Sequence, residues 1–212
     1  MHRSGLASAI DTLYEVFGAV PRPASVDGCP CCWLPSDASA LLQPVPLRSL
    51  PALALAPYAV GVPFTVGSAG DFRHFLPRLL EVSVTEGFGG PDADFMAYPT
   101  IEPFLSRLRH TGWTTWAPSE QAAVRGFLDA LWHDTLTTDP ASSTFFADDV
   151  LCALGNAVDD ITPFLAAWAA LLPAPHPAAH LRELRAQPSV NAFWEDRATQ
   201  HDQVTVWLTV NG

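Results

Sequence analysis

Lysine is missing altogether: each of the eleven cationic side chains in this 212-residue chain is an arginine. That absence removes whole classes of chemistry. No side-chain amine is present to form a Schiff base with pyridoxal phosphate or a carbonyl substrate. A phosphate-binding loop of the Walker A type cannot be completed without its lysine either. A GC-rich gene leaves the same signature, and the exclusions hold whatever its origin. Charge is sparse in general, at 16% of residues, while hydrophobic residues make up 49%, with seven Trp and twelve Phe. A chain of this length and composition can bury a substantial core. That balance argues against intrinsic disorder despite twenty prolines, most of which stand where a helix can begin or has just ended.

Long apolar runs are missing too. No stretch of eighteen apolar residues occurs, so no membrane-spanning helix is expected. Leu6 to Val20 is interrupted by Asp11 and Glu15 and reads as an amphipathic helix rather than the apolar core of an export signal. The expectation is therefore a cytoplasmic protein whose four cysteines are reduced thiols or metal ligands rather than disulfides. Basic runs are absent as well. The formal net charge is −11, and the arginines pair only at Arg73/Arg78, Arg107/Arg109 and Arg182/Arg185. Such a surface is poorly suited to nucleic acid, whose phosphates need clustered cations. Nor is there a G-x-S-x-G elbow, an H-E-x-x-H helix or an EF-hand loop. Gly87-Phe88-Gly89-Gly90 lacks the strand–helix context of a phosphate loop.

What remains is dominated by helical spacing. Leu6, Ile10, Leu13, Val16, Phe17 and Val20 predict a helix over about residues 4–18. A Cys/Pro-rich loop follows, and Ser36 reads as the N-cap of a short helix through Leu42. Across 44–70, Pro51, Pro57 and Pro63 predict short helical turns instead of a long helix. From Asp71, Phe72, Phe75, Leu76, Leu79 and Leu80 share a face, with Pro77 forcing a kink or restart. Gly87 to Pro99 reads as a surface loop, and Thr100 as the cap of a helix carrying Ile101, Phe104, Leu105 and Leu108. Pro118 opens the clearest helix, to about Leu136, with Val124, Phe127, Leu128, Leu131 and Trp132 on one stripe. Further helices are expected over about 145–158, over 163–172 after a Thr162–Pro163 start, from Pro177 to about Gln187, and from near Asn191. Residues 204–210 alternate β-branched side chains, which favours a strand, but no partner strand is evident and helix is preferred. The fold class expected is all-α: a single domain over 1–212, a multi-helix bundle or short helical stack of about eight helices.

The residue pattern that most invites chemistry is Gly28-Cys29-Pro30-Cys31-Cys32. Cys29 and Cys32 form C-x-x-C, half of a tetrahedral zinc site, with Cys31 as an alternative ligand. Two further ligands are needed, and His74 and Cys152 are the expected anchors. Redox chemistry is the weaker reading of the motif, because Trp33-Leu34-Pro35 follows and no helix N-terminus lowers a thiol's pKa there. Thiols without a role are the third. His74, Arg78 and Glu81 fall on one helix face and read either as a polar cluster at a cleft or as a solvated face with Arg78 and Glu81 paired. His176, His180 and Glu183 align in principle, but Pro175 and Pro177 put His176 at a helix cap or outside it. Asp148/Asp149 read as first-turn residues of a helix, Asp159/Asp160 as residues of a helix–helix junction, and His133 as a surface residue. Asp92/Asp94 is a third acidic pair.

The Cys29–Cys32 segment, followed by Asp71-Phe72-Arg73-His74-Phe75-Leu76-Pro77-Arg78-Leu79-Leu80-Glu81, resembles a family of uncharacterised bacterial proteins. In that family a C-x-x-C precedes a D-F-R-H-F-L-P-R-L-L-E-like segment, and the likeness runs on to Trp113, Trp116 and the Phe193–Trp194 region. It differs at 51–63, where the relatives look helical and this chain carries prolines. The resemblance implies no activity.

The functional expectation is a non-enzymatic helical domain that binds another protein, as an inhibitor or immunity protein does, with one structural zinc. Its acidic surface favours a partner with a basic patch. The rival is a metal-dependent enzyme with its site between the 29–32 loop and the His74 helix.

Overall fold

A computed structural model describes residues 5–88, 101–186 and 192–211, apart from the side chains of Ala192 and Glu195. Most of the expected loop at 87–99, with Asp92 and Asp94, lies outside these residues, as do the cap at Thr100, Gln187 and the helix start at Asn191. Ten α-helices are described: α1 Gly5–Phe17, α2 Pro35–Leu41, α3 Ala52–Gly61, α4 Ala69–Thr85, α5 Ile101–His110, α6 Pro118–Thr137, α7 Ala147–Ala157, α8 Thr162–Leu171, α9 Pro175–Ala186 and α10 Ala198–Val210. Among the described residues there is no strand, only one antiparallel bridge between Gly28 and Val66. The fold is all-α, with ten helices where about eight were expected. Among the described residues, no helix is long and apolar enough to cross a membrane.

Proline accounts for most of the boundary differences. Pro57 lies inside α3 and Pro77 inside α4, so neither segment breaks as the prolines suggested. Each removes one N–H and frees the carbonyl four residues back. For Pro57 that carbonyl belongs to Leu53, an exposed residue that water can reach. The start of α4 is fixed by a capping box: Ser68 Oγ accepts from Asp71 N at 3.2 Å, and Asp71 Oδ2 accepts from Ser68 N at 2.8 Å. The N-cap of α2 is Leu34 rather than Ser36, because Pro35 suits the first helical position. Pro175 likewise begins α9, which places His176 inside the helix and not beyond it. Residues 204–210 belong to α10, so the preference for helix there holds.

The described residues group into two compact units. One lies within Ser8–Thr100 and His110–Val124. Its core holds Leu13, Phe17, Tyr58, Phe72, Phe75, Leu76, Leu79 and Trp113, with Tyr58 edge-on to Phe75 at 5.2 Å. A polar network clamps α1 and the turn at Leu47–Ser49 onto α4. Glu81 receives Tyr14 Oη at 2.7 Å and Arg78 at 2.9 Å, and Arg48 bridges Glu81 and Asp11. The Arg78–Glu81 pair is thus present at i, i+3, but the two side chains are only 11% and 14% exposed. This is a partly buried staple rather than a solvated face, and with every oxygen engaged it is fully compensated.

The second unit lies within Met1–Ala7, Ile101–Arg109 and Arg125–Gly212. Val124 aside, the expected α6 stripe of Phe127, Leu128, Leu131 and Trp132 belongs to it and is buried. Trp132 donates to Phe164 O at 2.9 Å and stands edge-on to Trp168, whose indole stacks on Trp207 at 5.0 Å. Arg197 closes the C-terminal end of α7, donating to Gly155 O at 2.7 Å and to Val158 O. Gly155 has to be glycine, because a Cβ there would lie 2.5 Å from the Trp194 ring.

Candidate metal centre

The cysteine loop is built before its sulfurs do anything. Cys29 N donates to Thr65 O at 2.8 Å and Gly67 N to Asp27 O at 2.7 Å, so the loop lies along residues 65–67. The turn then closes on itself, because Cys29 O accepts from Cys32 N at 3.0 Å and from Trp33 N at 2.9 Å. Trp33 anchors it. Its indole is buried, donates to Val26 O at 3.0 Å, and packs against Tyr58 with ring centres 6.3 Å apart. Gly28 permits this approach, since a Cβ there would meet Trp33 Cγ at 2.6 Å.

On this base, Cys31 and Cys32 are exposed and Cys29 is half-buried. The three sulfur atoms all lie within 4.8 Å of one another, the one group of three or more potential ligands among the described residues. Cys29 and Cys31 Sγ are 2.8 Å apart, in hydrogen-bond contact. That bond holds the Cys29 thiol below its usual range and pushes Cys31 up to about 11. Soft thiolates clustered in this way can ligate a thiophilic ion. Tetrahedral zinc, with Zn–S near 2.3 Å, places neighbouring sulfurs about 3.8 Å apart. Seating it asks Cys29 and Cys31 to separate by about 1 Å, a side-chain rotation on an exposed turn.

Of the expected ligands, Cys29 and Cys32 come together and Cys31 joins them, whereas His74 and Cys152 stand outside the group. His74 Nδ1 pairs with Val20 O at 3.1 Å, its ring lies edge-on to Phe75, and burial pushes its pKa down. It lines a separate cavity of about 220 Å³ with Arg22, Leu47 and Leu50. Cys152 belongs to the other unit and is fully buried, because α7 is enclosed along nearly its whole length. Burial raises its thiol pKa, which suits a small packing residue and not a ligand.

His180 is buried with Nε2 on Thr138 O at 3.0 Å, so it is held by the backbone and not presented beside His176. Asp148 and Asp149 occupy the first turn of α7 as expected. The spacing gave no sign, however, that burial, the neighbouring Glu102 and Asp148 push Asp149 up to about 6. Both aspartates line a cleft of about 670 Å³ with Glu183 and His180. Trp33, the residue that positions the cysteines, gives no sign of that role in the sequence beyond being an aromatic side chain directly after the motif. No protein-family model, no curated protein and no solved structure matches this chain.

Proposed function

We propose that this chain is a metal-binding protein that holds zinc through Cys29, Cys31 and Cys32. The observation that carries the reading is the convergence of three thiols on a turn already fixed by backbone hydrogen bonds and Trp33. A preformed turn lowers the ordering cost of binding. It also changes the role expected of the ion. The backbone hydrogen bonds and Trp33 support the turn's shape, which favours zinc as a bound ligand of a folded protein rather than the cause of folding.

The test is a zinc titration of the reduced, metal-free chain. One ion per chain is expected to bind, and Cys29→Ser or Cys32→Ser to abolish it. Because binding displaces thiol protons, affinity rises with pH through neutrality and falls on acidification. Chelation is expected to leave a helical, cooperatively melting protein. Zinc at a hundredfold its Kd then adds about 2.7 kcal/mol by mass action. No saturable binding, or collapse of the helical signal on chelation, would contradict the reading.

The wider role we propose is non-enzymatic: the acidic chain, formally −11, engages a protein that presents a basic patch. Its association rate is expected to fall as salt rises. A partner whose association rate is indifferent to ionic strength would sink this part of the reading. The rival enzyme would need His74 beside the cysteines, and the separation of His74 from their group counts against it.

A further inference from the structure

We propose that Cys29 and Cys31 close into a disulfide by thiol–disulfide exchange, and that closure expels the metal, so the thiol redox state governs occupancy of the site. The inference rests on the metal reading for its second half only. Its first half stands on geometry. The two sulfurs touch at 2.8 Å, and both belong to one solvent-facing turn where an oxidant can reach them. The backbone of that turn is pinned by Thr65 and Trp33, which keeps the two sulfurs in contact, short of the S–S distance of about 2.05 Å by under 1 Å. A Cys31–Cys32 link would have to close across a single peptide bond, whereas Cys29 and Cys31 have Pro30 between them.

The co-reactant is a low-molecular-weight disulfide. The Cys29 thiolate attacks one of its sulfurs, its S–S bond breaks, and one half leaves as a thiolate while the other stays on Cys29 as a mixed disulfide. Cys31, released as a thiolate from zinc or, in the metal-free chain, after giving its proton to solvent, then attacks Cys29 Sγ, forming the internal bond and releasing the second half as a thiolate. The protein dithiol is oxidised by two electrons and the small disulfide is reduced to two thiols. Two of the three metal ligands are consumed, and Cys32 alone cannot retain zinc.

The experiment treats the reduced, zinc-loaded full chain with oxidised glutathione. The expected product is lighter by two hydrogens, carries its cross-link between Cys29 and Cys31 by fragment mass spectrometry, and has released its zinc to a colorimetric chelator. Cys32→Ser still closes the link, and Cys31→Ser stops at a stable glutathione adduct on Cys29. A wild-type chain that stops at the adduct, or a link mapped to Cys29 and Cys32, overturns the proposal. Closure in a chain that never held zinc overturns the metal reading and the coupling while leaving the disulfide standing.

Discussion

Trp33→Ala is expected to cost about 3–5 kcal/mol of stability and to weaken zinc binding by at least tenfold. The stability loss is that of emptying a buried aromatic site. Trp33 fills the space over Gly28, packs on Tyr58 and satisfies Val26 O. Truncation leaves that carbonyl without its donor and the Cys29–Cys32 turn without its anchor. The binding loss follows because three thiols on a loosened turn must be ordered when the ion binds. The control separates the two effects. Cys31 is exposed, so Cys31→Ser is expected to change the stability of the metal-free chain by less than about 0.5 kcal/mol while removing a ligand. Chemical denaturation paired with zinc titration reads both quantities. A Trp33→Ala chain with unchanged zinc affinity would show that the turn is not held by its indole.

Trp168→Ala is expected to be the most damaging change in the other unit, again at about 3–5 kcal/mol. Its ring is fully buried between Trp132, edge-on at 5.3 Å, and Trp207, stacked at 5.0 Å, and its Nε1 donates to Pro177 O at 3.1 Å. Removing it ends two aromatic contacts and the indole hydrogen bond to Pro177 O, and opens a cavity between α8, α9 and α10. Trp168→Phe restores most of the volume but not the N–H, and should recover over half of the loss. Equal damage from both variants would mean that the hydrogen bond dominates and that packing does not.

These two residues mark the limits of what the sequence made legible. Helical spacing found the faces of α1, α5 and α6, because a buried stripe repeats with the helix period whatever it packs against. It expected only short turns where α3 runs ten residues through Pro57, and α4 does not restart at Pro77, since whether an internal proline breaks a helix depends on what surrounds the carbonyl it frees. It paired Cys29 with Cys32, and the structure places their sulfurs within 4.8 Å of each other with Cys31 beside them, because residues close in sequence can converge on one turn. It proposed His74 and Cys152 from their apparent distance from the apolar faces, yet α7 has hardly any exposed face and His74 turns to the Val20 carbonyl. Tyr14, Arg48 and Glu81 meet across 67 and 33 positions of sequence, a juxtaposition that no local pattern encodes.

The central claim, that Cys29, Cys31 and Cys32 form a zinc site, is tested most directly by elemental analysis of the chain purified under reducing conditions without chelator. The account predicts one zinc ion per chain in the wild type and none in Cys29→Ser. A metal-free wild-type protein whose four cysteines all titrate as free thiols once it is denatured, and which takes up no zinc when it is offered, would contradict it.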